Sequence, residues 1–218
     1  MRDLDLVFSY VPRPQRFQLA DLFALDAALG NVMRTTREPM VGRIRLAWWR
    51  ERLEEIDQGI VPAEPQLEAT AELVAETSLT GEMLAALVER WEPLLEEFPW
   101  GCEVAGSIAG RGVTLFGLGS QILAGDGPVL DIVTKAGALW AVTDVTRHCS
   151  DLPSRLALVE FARDLAKELH GEAEATVRPL TMLGLLARRD LARWPKIEPE
   201  ATPGRAWVMI RHKLTGHL

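Results

Sequence analysis

Cysteine and tyrosine are nearly missing from this chain, and so are several devices that common functions require. Two cysteines, Cys102 and Cys149, occur in 218 residues. They form neither a metal-binding spacing nor a disulfide framework and fit a reducing compartment, so a cytoplasmic location is expected. A single tyrosine, and no alternating apolar run bounded by Asn-Gly or Asp-Gly, exclude a strand-rich fold. No uninterrupted apolar run reaches the roughly 20 residues of a bilayer span. The opening MRDLDLVFSY lacks the apolar core and small-residue cleavage site of an export signal, so none is expected. Basic charge is also short: Lys and Arg total 24 against 31 Asp and Glu, a net charge of −7. Without a basic stripe, no nucleic-acid role is expected. A phosphate-cradling Gly-Lys-Ser loop, a nucleophile elbow and a His-Glu-x-x-His pair are absent too.

What remains is an ordinary globular composition, 48% hydrophobic and 25% charged, long enough to bury a large core as one domain over residues 1–218. Helical periodicity recurs throughout. Leu22, Leu25, Leu29, Val32 and Met33 form one stripe after Pro12 and Pro14. Pro39 suits a first helical turn, and Gly42, Leu46, Trp49, Leu53 and Ile56 repeat at helical spacing up to Gly59. The linker IVPAEP precedes a helix carrying Leu67, Leu73 and Val74. The segment TGEMLAALVERWEPLLEEF then reads as one helix closing before Pro99. Residues 102–124 read as a glycine-rich helix whose Gly106, Gly110, Gly117 and Gly119 allow close approach of a backbone or a ligand. Helices over 128–151, 155–170 and 173–194 and a short basic segment around Trp207–Leu214 complete an all-α bundle of eight or nine helices.

Chemistry concentrates in three places. Over 128–151, Val133, Gly137, Trp140, Asp144, His148 and Asp151 share one stripe, with Arg147 on its shoulder. Asp144, His148 and Asp151 are the candidate metal ligands, and with Arg147 they could hold a phosphate through a bridging cation. The plainer reading is a solvated helix end with an i,i+4 Asp–His pair. Asp26 lies inside an apolar stripe, where an unpaired carboxylate costs several kcal/mol. It is either functional or salt-bridged to an arginine of the next helix, and the second is the plainer reading. In GRIRLAWWRERLEEI, Trp49 falls on the core stripe and Arg45 beside it. Together with Trp140 they are candidate walls of a ligand cavity, although buried tryptophans are more often packing.

The order of these pieces resembles the squalene/phytoene synthase family. LFALDAALGNVMRTTREPMVGRIRLAWWRERLEEID is similar to that family's N-terminal helices, in which a Glu-Pro turn leads into an Arg-x-x-Trp-Trp helix. AGALWAVTDVTRHCSDLPSR is similar to its Gln-Leu-Thr-Asn-Ile-Leu-Arg-Asp-x-x-Glu-Asp segment. The resemblance implies a single-domain bundle of the prenyl synthase, class I terpenoid synthase type. Active members are Mg²⁺-dependent prenyltransferases with two acidic motifs on facing helices. Carried across, the first motif's acids fall on Gly30, Asn31 and Arg34, none acidic. In the second, Thr143 and Arg147 match, while the acids become His148, Asp151 and Leu152, and Asp144 takes the usual Asn.

Mg²⁺ requires hard oxygen ligands, so the resemblance implies a diverged, non-catalytic protein without a cofactor. A branch of this kind includes a mitochondrial complex I assembly factor, which makes a protein partner or an isoprenoid-like ligand the expectation. The alternative is an active prenyltransferase with a reduced site of Asp26, Asp144, Arg147, His148 and Asp151, using Mg²⁺. Trp207, Val208, Met209 and Ile210 among Arg205, Arg211 and Lys213 read either as a packed last helix or as a peripheral contact with an inner membrane.

Overall fold

The structure is a computed structural model describing residues 3–218. Ten α-helices make up the described chain: α1 Asp3–Ser9, α2 Gln15–Thr35, α3 Pro39–Ile56, α4 Pro65–Glu76, α5 Gly81–Trp91, α6 Cys102–Ala124, α7 Asp131–His148, α8 Leu152–Glu168, α9 Arg178–Ala192 and α10 Pro203–Thr215. The β pairing among the described residues is an isolated bridge, Glu172–His217. All ten helices contribute side chains to one hydrophobic core.

The periodic stripes are the buried ones. Leu22, Leu25, Leu29 and Val32 of α2, and Gly42, Leu46, Trp49, Leu53 and Ile56 of α3, face the core. Proline and caps set the helix starts: Pro39 opens α3, and the Thr80 hydroxyl accepts from Met83 N at 3.2 Å to open α5.

Two helix ends fall earlier than expected. The helix expected to run to Phe98 stops at Trp91, because Pro93 lacks an N–H and its ring displaces the preceding turn; a 3-10 turn at Glu92–Leu95 follows. The helix expected to run to Asp151 ends at His148. Asp151 instead caps α8, accepting from Ser154 N at 2.9 Å and Ser154 Oγ at 2.6 Å, with Pro153 in that helix's first turn. The short helix α1 carries no periodic signal of its own.

At the centre, α7 packs against α6, α8 and α9. The α6–α7 crossing depends on two glycines: a Cβ at Gly112 would overlap the Gly137 carbonyl, and one at Gly137 the Gly112 carbonyl. The close approach of α6 is thus made at Gly112 rather than at the glycines that the sequence singles out: a Cβ at Gly106 would meet nothing within 4 Å, and one at Gly117 only Val129 at 3.8 Å. With neighbours on nearly every side, α7 has no long solvated face, and only its two ends, Asp131 and His148, are exposed.

Candidate functional site

Two charges that each look misplaced in their own helices meet in the core. Asp26 interrupts the apolar stripe of α2, and Arg111 interrupts that of α6, where it stands in step with Val104, Ile108 and Leu115. They are 3% and 2% exposed. Arg111 Nε donates to Asp26 Oδ1 at 2.9 Å, and its Nη2 donates to Asp26 Oδ2 at 2.8 Å, the bidentate geometry that guanidinium and carboxylate favour. The same Nη2 reaches Asp144 Oδ2 on α7 at 3.1 Å. Trp91 Nε1 donates to Asp26 Oδ1 at 3.0 Å, and the guanidinium lies over the rings of Trp91 and Trp140, 4.2 and 5.1 Å from their centroids. Burial alone would weaken the guanidinium's hold on its proton. Asp26 and Asp144 outweigh that cost and hold its pKa above the ordinary value.

Asp26 is therefore salt-bridged, as its place in the stripe indicates, but to an arginine 85 residues away on α6 rather than on the next helix. Arg111 is the residue that sequence reasoning missed. Its signal was present: apart from Glu103 at the start, it is the one charge in the 23-residue helix α6.

The other candidates separate. His148 Nδ1 bonds the Asp144 carbonyl at 2.8 Å and lies 3.8 Å from Asp144 Oδ1, with its side chain 66% exposed. Arg147 points away from that pair, into an ion-pair network with Asp190 of α9, which also engages Arg205; Arg205 Nε in turn donates to Asp3 Oδ2 at 2.7 Å. Trp140, Thr143, Asp144 and Arg147 wall a small cavity of about 90 Å³ beside this network. The Thr143 hydroxyl and Arg147 Nε are buried there without protein partners. Asp151 is engaged by Ser154, whose hydrogen bonds hold its carboxyl below the usual carboxylate range.

A second cavity, of about 380 Å³, opens between the C-terminal ends of α2 and α7. Its walls are largely apolar: Met33, Trp91, Leu94, Leu95, Phe98, Trp100 and Val145. Gly30 and Arg34 face it from α2, and Asp144 and His148 from α7. Two expected wall residues lie elsewhere. Trp49 is buried in the core edge-on to Trp48, and Arg45 is turned onto the hydroxyls of Thr35 and Thr36 at 2.9 and 2.8 Å. Trp140 is taken up in an aromatic cluster with Phe23 and Phe116 and reaches only the smaller cavity.

These side chains do not fit a Mg²⁺ cluster. Among the described residues, no group of three or more His, Cys, Asp and Glu is arranged to hold a metal ion. Across the larger cavity, the α2 wall offers a glycine and an arginine; on α7, Asp144 is already bonded to Arg111, and an imidazole is a poor ligand for a hard cation.

The C-terminal helix packs as a last helix through Arg205, Met209 and His212, while Trp207, Ile210 and Leu214 stay exposed. Arg205 and Met209 therefore belong to the interior and not to a surface patch. Among the described residues, no helix is long and apolar enough to cross a membrane.

Comparison with known proteins agrees with this architecture. No curated protein matches the chain. A solved structure, the crystal structure of a dehydrosqualene synthase in complex with ligand, superposes with a TM-score of 0.70 at 13% identity, covering 97% of this chain and 90% of that one. At that identity the match speaks for the fold, a class I terpenoid synthase bundle. Residues 2–99 match the squalene/phytoene synthase family model. Its residues 2–99, somewhat under half of the chain, are thus similar to the squalene/phytoene synthase family, and its fold is shared along nearly its whole length with a dehydrosqualene synthase.

Proposed function

We propose that this protein does not condense prenyl diphosphates, and that it binds an isoprenoid-like ligand in the cavity between α2 and α7 without ionising it. One observation carries the reading: the carboxylates deep between α2 and α7 already have their cation, the Arg111 guanidinium. A metal entering there would have to displace a fixed positive charge held by two acids and two aromatic rings. Arg34, at the cavity wall, adds like-charge repulsion where ionisation of a diphosphate needs divalent cations. The apolar walls and the volume, at the low end of the roughly 300–1,000 Å³ range of ligand pockets, suit a hydrocarbon chain. Calorimetric titration of farnesyl diphosphate with and without Mg²⁺ tests this. The expected outcome is an affinity that Mg²⁺ leaves unchanged, with the diphosphate intact. Metal-dependent binding followed by diphosphate release would refute it.

A second reading concerns where the protein works. The exposed Trp207, Ile210 and Leu214 share one face of α10, Arg211 and Lys213 flank it, and no acid occurs from residue 201 to 218. That is the pattern of a peripheral contact with an anionic membrane, as an assembly role beside a membrane complex would use. Cosedimentation with anionic vesicles should fall on Trp207→Glu; unchanged partitioning removes this reading.

A further inference from the structure

We infer that the solvent face of α3 pairs with the same face of a second copy of this chain, the two helices lying antiparallel across a two-fold axis. This pairing does not depend on what the cavity between α2 and α7 holds.

The helix α3 is apolar on two sides. Gly42, Leu46, Trp49, Leu53 and Ile56 face the core. On the other side Met40, Val41, Ile44 and Trp48 are 63, 43, 64 and 41% exposed. Spaced by three and four residues, they fall within an arc of about 100°, the width of stripe that a helix ordinarily turns toward a core. Here water meets it. Trp48 is already held in place, edge-on to the buried Trp49 with ring centroids 5.4 Å apart, so burying it orders little that is free.

Charge decides what covers the stripe. At its N-terminal end Arg34 and Arg37 are exposed beside the single acid Glu38, and Arg37 has no ion pair among the described residues. At its C-terminal end Arg50 and Arg52 are engaged by Glu54 and Glu55 at 3.0 and 2.9 Å. The charge left over there is Glu51, 65% exposed and 3.5 Å from Arg52. The face is thus basic at one end, apolar in the middle and acidic at the other. An anionic membrane would meet Glu51 with like charge, in contrast to the face of α10, where no acid occurs from residue 201 to 218.

The same stripe reversed is its complement. With the axis at the level of Leu46, Ile44 of each copy meets Trp48 of the other, as an isologous contact requires. Glu51 then comes level with Val41, about one turn from Arg37, a gap that the two long side chains span when the helices cross at about 20°. Each acidic end also lies beside the other copy's helix N-terminus, where negative charge is favoured. One helix face a side stays at or below the roughly 1,200 Å² floor of standard interfaces, so the dimer is a weak one, with micromolar affinity.

Sedimentation velocity of the full chain from micromolar to millimolar concentration tests this, and the wild type should pass from monomer to dimer. Ile44→Glu, next to the axis, should stay monomeric throughout while keeping the melting temperature of the dilute wild type, because the residue it alters stands in water. Arg37→Glu and Glu51→Arg should each raise the dissociation constant about tenfold, since each sets like charges against one another at both ends of the pair. An equimolar mixture of these two variants should recover the wild-type affinity, because every acid in the mixed pair again faces an arginine. That recovery also shows that both are folded. A wild type that stays monomeric, a dimer that survives Ile44→Glu, or a mixture that associates no more tightly than its components would overturn the inference. So would a monomeric wild type that anionic vesicles capture and Ile44→Glu releases, which would give this face to a membrane.

Discussion

Replacing Arg111 by methionine asks how much of the bundle's centre depends on one guanidinium. The side chain is fully buried, donates to Asp26 at 2.9, 3.3 and 2.8 Å and to Asp144 at 3.1 Å, and lies over two indoles. Methionine fills similar space, so little of the loss comes from a cavity. What it leaves is a buried Asp26 carboxylate with the Trp91 indole as its remaining donor. Orphaning one member of a buried pair costs about 3–5 kcal/mol. The Asp144 contact adds little, because a third of that side chain is exposed and water can take the vacated position. In a chain of this length each kcal/mol lowers the melting temperature by about 2–4 °C, so the expected fall is on the order of 6–20 °C. Asp26→Leu alone should also destabilise, by stranding the guanidinium. The double variant Asp26→Leu/Arg111→Met removes both charges and should recover most of the loss, short of about 1–3 kcal/mol for the Trp91 N–H left without an acceptor. Urea unfolding of the four chains gives the coupling energy directly. A single-variant loss below about 1 kcal/mol, or singles that simply add, would show that this pair does not organise the core as argued.

Two further outcomes follow from residues with settled surroundings. His212 is buried between Thr181 Oγ1, 2.9 Å from Nε2, and the His217 carbonyl, 2.9 Å from Nδ1; burial first, then Arg178, Arg188 and Arg211, push its pKa down. The unfolded chain therefore takes up this proton more readily than the native one. Its contribution is complete above the ordinary imidazole pKa of about 6.5 and is lost as pH falls through the lower native value. Between pH 7 and 5 the melting temperature should drop more steeply in the wild type than in His212→Gln, and parallel profiles would contradict the assignment. Asp151→Ala should lower the melting temperature by a few degrees, whereas Asp151→Ser, which keeps a capping oxygen, should restore it, and neither should alter farnesyl diphosphate binding in the larger cavity. A change in that binding would return Asp151 to the site.

How far the site was legible depends on which forces shape each part of it. The core stripes of α2 and α3 are local: apolar residues at helical spacing can be buried only one way, so Leu22 to Val32 and Gly42 to Ile56 are readable from the string. Asp26 is half legible. Its place in a stripe demands a partner, but the choice of Arg111 is made by the packing of α2, α5, α6 and α7, which no local pattern encodes. Asp151 shows a wheel carried too far. A stripe drawn through residue 151 assumes continuous helix, while Asp-Leu-Pro-Ser at 151–154 already spells a cap and a first-turn proline. The cavity was the least legible part, for a physical reason. Its outer wall is the irregular stretch from Leu94 to Trp100, released when Pro93 ends α5, and irregular backbone has no period to read. Trp49 and Trp140 were natural choices for that wall because they lie on regular stripes, and the same regularity is what draws them into the core. In a bundle of this kind, then, the residues that repeat are consumed by packing. The cavity is left to those that break the repeat: Gly30 and Arg34 at the end of α2, and the segment after Pro93.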